Sequence, residues 1–464
     1  MTVWRNQFMG SVVSFAALVI ALWCVPQAAP AGPAAAAAEQ AAPSPLFELD
    51  ATVTTLDNGL KVILLEDHSA PVISRYTFFR VGSRNERPGI TGISHFMEHM
   101  MFNGAGKYGP KEFDRVLEAN GGTSNAFTSK DMTAYYEDIA SDILELTFDL
   151  DSDRIKSLAL DPKYIESEMG VVMEERRNSI DNSIDGAMYE ELYALAFKAH
   201  PYRWPVLGWM SDLEGIDRND CVNYFRTYYA PDNAVLIVAG DFDSGEALEL
   251  IHRYYDDIPA QEPPAPVRTV EPEQWGERRA EVRKAAELPA VMIAYLVPGM
   301  QSDDFFALEI LQGVLTTGRS SRLYRLLVRD LEIALSVYTE YSWRIDPDLF
   351  YFDVKMKPGH TTAEAEDAIY AAVDSLIANG VTEEELARAR KQIAVNLVRR
   401  MQTVNGKASM IGRAELLLGD YHGLFRLREG YDAVTVDDVK RVAEKYLRSG
   451  RRNVVTLVPE GAEG

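Results

Sequence analysis

Residues 94–102 read Ser-His-Phe-Met-Glu-His-Met-Met-Phe, and the run His95-Phe96-Met97-Glu98-His99 within them is the most informative stretch of the chain. Apolar residues recur at helical spacing over 91–102, which predicts a helix. Positions i and i+4 of a helix face the same way, so His95 and His99 can present two imidazoles to one ion. Zinc takes imidazole nitrogen readily, and a catalytic zinc site joins three protein ligands to a water. Glu98 borders the same face, where a carboxylate can accept a proton from a metal-activated water. The bland alternative is a pair of core histidines on an amphipathic helix. It is weakened by the scarcity of histidine, 7 in the whole chain.

Working outward, Asp57-Asn58-Gly59 lies between apolar runs at 52–56 and 60–65, which predicts a hairpin. A third strand is expected over 72–81. Pro110 opens a helix that Gly121-Gly122 stops, and strands are expected at 124–128 and 133–139. Helices follow to Lys198, then an apolar strand at 235–239 and a helix from Ser244. Pro259, Pro263, Pro264, Pro266 and Pro272 mark a linker over 259–276. Beyond it the order repeats: a strand at 291–297, a helix at 304–314, a strand at 351–357, long helices and a closing strand at 453–458. Each half ends with a tyrosine-bearing helix and an apolar strand. The expectation is an α+β fold of two homologous domains, 46–258 and 277–464, each a mainly antiparallel sheet packed with helices and related by internal duplication.

The N-terminus adds a targeting signal. Arg5 precedes an apolar run at 11–25, and small residues and prolines continue to about residue 45. This reads as a secretory signal peptide, processed between 29 and 42, with a disordered Ala/Pro-rich remainder. An uncleaved anchor is the alternative. Trp23 before Cys24 does not suit lipidation. The expected destination is across the inner membrane, in the bacterial periplasm, with no permanent span after processing. Cys24 falls in the signal, leaving Cys221 without an intrachain partner. Lys+Arg number 47 against 70 Asp+Glu, a formal charge of −23. That balance excludes nucleic acid as a main partner and is compatible with cationic peptides or a plain solvated surface.

Around the histidines stand Val81-Gly82-Ser83-Arg84-Asn85-Glu86, Pro88-Gly89, Thr91-Gly92 and Met100-Met101-Phe102. Further on come Gly121-Gly122, Asn125-Ala126, His200-Pro201-Tyr202, Pro205, Gly208 and Tyr229-Ala230-Pro231-Asp232-Asn233. Together they resemble the pitrilysin/insulinase family of metallopeptidases, in its two-domain, processing-peptidase-like branch. The order H-x-x-E-H is that of the inverzincins. The resemblance implies one zinc ion per chain, with a third ligand from a glutamate-rich helix that here carries Glu166, Glu168, Glu174 and Glu175. The family spacing favours Glu175, and Glu174 stands beside it as a rival. Glu168 shares the helix face of Glu175, and by resemblance it orients a ligand histidine. Glu98 is then the general base. Asn125 and Ala126 fall where similar enzymes offer a strand edge to substrate, a peptide or an unfolded protein segment. His200, in its His-Pro-Tyr context, reads as structural.

The second half has no H-x-x-E-H. Similar single-chain enzymes place an arginine and a tyrosine here to grip substrate, shortly after a run matched by Ser320-Ser321-Arg322-Leu323. Arg329 fits the arginine. The tyrosine position holds Leu335, which cannot donate a hydrogen bond. Tyr338 and Tyr341 are out of register. The resemblance therefore implies a metalloendopeptidase whose missing groups come from a homologous non-catalytic subunit in a heterodimer, with a homodimer as the other arrangement. The competing expectation is a peptide-binding or structural subunit without turnover.

Overall fold

The computed structural model describes residues 49–460. The expected signal peptide and Ala/Pro-rich segment lie outside the described residues. Runs rich in β-branched and aromatic residues gather into two sheets. The first contains β1 (Thr52–Thr55), β2 (Lys61–Glu66), β3 (Val72–Phe79), β4 (Thr123–Thr128), β5 (Thr133–Ala140) and β6 (Ala234–Gly240), in the order β1-β2-β6-β3-β5-β4. The second contains β7 (Arg278–Lys284), β8 (Ala290–Val297), β9 (Ala334–Tyr341), β10 (Asp348–Met356) and β11 (Asn453–Pro459), in the order β7-β11-β8-β10-β9. Each sheet has one parallel pair, β2 with β6 and β7 with β11, and is otherwise antiparallel. Without β1 the first sheet has the connectivity of the second, strand for strand. The duplication expected from element order is thus present in the topology.

The helices keep the same order. In the first half they are α1 (Ile93–Met100), α2 (Glu112–Ala119), α3 (Leu144–Ser157), α4 (Pro162–Arg176), α5 (Ile184–Ala196), α6 (Met210–Leu213), α7 (Arg218–Tyr228) and α8 (Ser244–Tyr255). In the second they are α9 (Phe305–Thr316), α10 (Thr362–Asn379), α11 (Glu383–Arg400), α12 (Val404–Leu418), α13 (Gly423–Ala433) and α14 (Val436–Tyr446). Residues 260–275 form neither helix nor strand.

The halves are not independently packed, because they exchange equivalent helices. Helix α5 of the first half lies on β7, β8 and β11, where Met188, Leu192 and Tyr193 share a core with Met292, Val455 and Leu457. Helix α12 of the second half lies on β3 and β6, and Met410, Ile411 and Ala414 share a core with Phe78, Val235 and Ile237. Gly412 makes this approach possible: a Cβ there would stand 2.1 Å from Phe78 Cε2.

Polar contacts add to the seam. Lys130 is buried, with its Nζ donating to the Tyr202 carbonyl at 2.5 Å and lying 3.3 Å from the Tyr193 ring centroid. Burial lowers its pKa to about 7. Arg84 pairs with Asp346 across the two halves, and Tyr202 Oη donates to Asp131 at 2.5 Å.

Two details depart from the sequence reading. The β1–β2 connection spans residues 56–60, since Thr55 pairs with Lys61. The Asn58 side chain explains the longer loop, because it is buried and donates to the carbonyls of Tyr255 and Ile258. Strands β7 and β9 were not foreseen. Strand β7 reads Arg-Arg-Ala-Glu-Val-Arg-Lys and holds an edge with every second residue exposed, so its apolar signal is thin.

Candidate metal centre

Helix α1 is fixed at its start by groups remote in sequence. Gly92 has φ 89° at the N-cap, where a Cβ would stand 2.7 Å from the Leu207 carbonyl oxygen. The orphan N–H groups of the first turn find the buried Glu86 carboxylate, which accepts from Gly92 N and Ser94 N at 2.9 Å each. Asp212 accepts from Thr91 N and Thr91 Oγ1. Helix α4 begins on Asp161, whose side chain caps Lys163 N, with Pro162 in the first turn. It packs on α1 and presents Glu168 and Glu175 along one face.

These helices bring His95, His99 and Glu175 together, with one ligand atom from each lying within 4.8 Å of the others. Glu175 Oε2 is 3.4 Å from His99 Nε2 and 3.8 Å from His95 Nε2. Glu174 faces elsewhere, its carboxylate near Arg177 and Asn178. Glu168 Oε1 sits 2.8 Å from His99 Nδ1. A proton held at Nδ1 by that carboxylate leaves Nε2, the nitrogen facing Glu175, as the one that would meet a metal ion. Nδ1 of His95 is buried without a hydrogen-bond partner, so no carboxylate sets its tautomer. Two imidazoles and one carboxylate, open to solvent on the Glu175 side, match the donor set of a catalytic zinc site that keeps a position for water.

The electrostatics suit a cation. Burial, then the charge of His99, lowers His95 to about 4, which leaves it a neutral donor. On His99 burial opposes charge, but Glu168 and Glu175 outweigh it and raise its pKa to about 9. Hydrogen bonding to His99 lowers both glutamates. Glu98 differs, since its burial raises its pKa, and this is partly offset by the Thr128 hydroxyl, which donates to Oε2 at 2.6 Å. Glu98 is thus a largely desolvated carboxylate beside the donor triangle, held by one hydroxyl.

Thr128 ends β4, the outer strand of the first sheet, on which Asn125 and Ala126 also lie. Asn125 is exposed, and its Oδ1 accepts from Ala126 N at 2.8 Å. A peptide strand pairing there has to replace that bond. Arg329 lies in the second half, on the π-helical segment Tyr324–Asp330 that packs on β9 and α10, and it pairs with Asp330. Among the described residues no ion pair or hydrogen bond links it to the histidines. Leu335, on β9, is 51% exposed. Tyr338 donates to Asp353 and Tyr341 to the Pro298 carbonyl. The sequence reading gave no role to Glu86, Asp212 or Thr128. Each reaches the centre across at least six residues of sequence, and local pattern carries no such signal.

The sequence matches the family model described as Insulinase (Peptidase family M16) over residues 61–208, and the Peptidase M16 inactive domain over residues 215–393. The zinc protease PqqE of Helicobacter pylori is 30% identical over 410 residues, covering 87% of this chain and 92% of the relative. The mitochondrial-processing peptidase subunit beta of Lentinula edodes is 27% identical over 407 residues, 85% of this chain and 87% of the relative. Among solved structures, a protease from Helicobacter pylori superposes with a TM-score of 0.85 at 29% identity, covering 89% of this chain and all of the other.

Proposed function

We propose a function for this chain from one premise: it belongs to peptidase family M16. The chain is a zinc-dependent endopeptidase acting on peptides or unfolded protein segments. One observation carries this reading: His95, His99 and Glu175 meet within 4.8 Å while Glu98 stands beside them on the face of α1. His95, His99 and Glu175 hold the ion, which when bound supplies Lewis acidity toward water and the scissile carbonyl. Glu168 keeps the His99 proton on Nδ1. Glu98 takes the proton of the attacking water and delivers it to the leaving amide nitrogen. Thr128 keeps Glu98 oriented through the handover, and the edge at Asn125 and Ala126 receives the substrate backbone.

The zinc-bearing domain spans residues 46–258, the linker 259–276, and the homologous domain without a metal site 277–464. A signal peptide at the N-terminus sends the chain across the inner membrane to the bacterial periplasm. No described helix is long and apolar enough to cross a membrane. Arg329 contributes to substrate binding, and a homologous subunit supplies the hydroxyl that Leu335 lacks, in a heterodimer or a homodimer. In support, the Tyr338 and Tyr341 hydroxyls are already engaged.

Glu98→Gln tests the mechanism. It should lower hydrolysis of a fluorogenic peptide by about 10²–10⁴-fold and leave zinc content, measured by elemental analysis, unchanged. Undiminished turnover by the variant would remove Glu98 as the base, and no turnover by either protein would return the chain to the second reading, a peptide-binding or structural subunit. Assays with and without a co-expressed homologue test the partner, and full activity of the chain alone would remove the need for one.

A further inference from the structure

The second half holds a cavity of about 400 Å³ at the place its topology makes equivalent to the metal centre. It is lined by α9 and α11, the counterparts of α1 and α4, and by the end of β9, the counterpart of β4. On α9, Glu309, Gln312 and Gly313 line it, at the i, i+3, i+4 spacing of His95, Glu98 and His99. On α11 the correspondence can be counted from the helix caps, Asp161 and Thr382. Glu168 and Glu175 then fall on Ala389 and Asn396, and both of these line the cavity.

The metal-binding groups are therefore gone, yet the space has not closed, and its charge has reversed. Arg344, Arg400 and Arg413 line it. Arg344 pairs with Asp348. Among the described residues Arg400 and Arg413 form no ion pair with a carboxylate, and Arg413 stacks on Phe127 with its Cζ 4.6 Å from the ring centroid. Burial lowers the pKa of Arg413, opposed by Tyr76 and reinforced by the charges of Arg400 and Arg344. Two acidic residues share the cavity. Glu309 is occupied as an acceptor from Trp343 Nε1 and the Tyr431 hydroxyl, and Glu340 accepts from Ser342 Oγ. A half-buried Arg413 and an exposed Arg400, neither in an ion pair among the described residues, leave cationic donors facing this cavity in a chain of net charge −23, and an anion suits them. Phe127 is next to Thr128, so the strand β4, whose last residue holds Glu98, also touches this cavity through Arg413.

We propose that the cavity is a second ligand site, in which Arg400 and Arg413 bind a carboxylate carried by a peptide, either an acidic side chain or a free C-terminus. The proposal rests on the peptidase reading only in taking a peptide as the carrier. The test is fluorescence anisotropy of the full chain with three peptides of one neutral sequence. One carries an internal glutamate and an amidated end, one a free C-terminal carboxylate, and one neither. A carboxylate peptide should bind at least about tenfold more tightly than the neutral one, and which of the two does so identifies the source. The double variant Arg400→Gln/Arg413→Gln should erase that preference without changing affinity for the neutral peptide. Arg413→Lys, which keeps the cation, should retain most of it. Equal binding of all three peptides, a preference untouched in the double variant, or a loss in Arg413→Lys as complete as in the double variant would overturn the proposal. Zinc content and turnover of the neutral peptide, read on the same preparations, report on the peptidase reading separately.

Discussion

Helices α4 and α11 occupy the same place in two halves of one topology, and each packs on the helix that follows an equivalent strand, α1 after β3 and α9 after β8. At matching distances from their caps, α4 carries Glu168 and Glu175 where α11 carries Ala389 and Asn396. The backbone framework is shared, and only the side chains facing the site differ. Fold here sets where a site can be, and a handful of residues decides which side-chain chemistry faces it.

The comparison can be broken most directly at the metal. Glu175→Gln should remove stoichiometric zinc while Glu174→Gln retains it, because only Glu175 approaches both histidines. The opposite result, read by elemental analysis, would move the third ligand by one residue. Glu168→Ala should weaken zinc affinity by about 10–100-fold, measured by competition with a chelator, since it removes the acceptor for His99 Nδ1.

The exchanged helices sharpen the comparison from the side of stability. Gly412→Val forces atoms into Phe78 and should cost about 1–3 kcal/mol in urea unfolding. An unchanged midpoint would show that α12 can lift from the first sheet at no penalty. A further test concerns Lys130. Its pKa falls from 10.5 to about 7 on folding, so the unfolded chain binds the extra proton between those values. Its contribution is fully present above pH 10.5 and is lost as pH falls through 7. Stability should therefore rise with pH across that window, less steeply in Lys130→Met. Parallel slopes for the two proteins in urea titrations at pH 7, 8 and 9 would refute this account.

Much of the first half was legible in sequence because its signals are local. Helical spacing placed His95, Glu98 and His99 on one face, and Pro110 and the Gly121-Gly122 pair marked element ends. Strands β7 and β9 were not legible, one alternating charge at an edge and the other embedded in a run read for its motif. The roles of Glu86, Asp212 and Thr128 escaped for a different reason, since each reaches α1 or the residues leading into it through a contact that only the tertiary fold creates.

By itself the sequence determined the two halves, the helix that presents two imidazoles, and the loss of metal-binding residues in the second half, because residue type and period are sufficient for those. Only the tertiary structure decided that Glu175 rather than Glu174 faces the histidines, that α5 and α12 trade sheets, and that the vacated site stays open between arginines. Those depend on the rotation of one helix against another and on packing across hundreds of residues, and a linear pattern records neither.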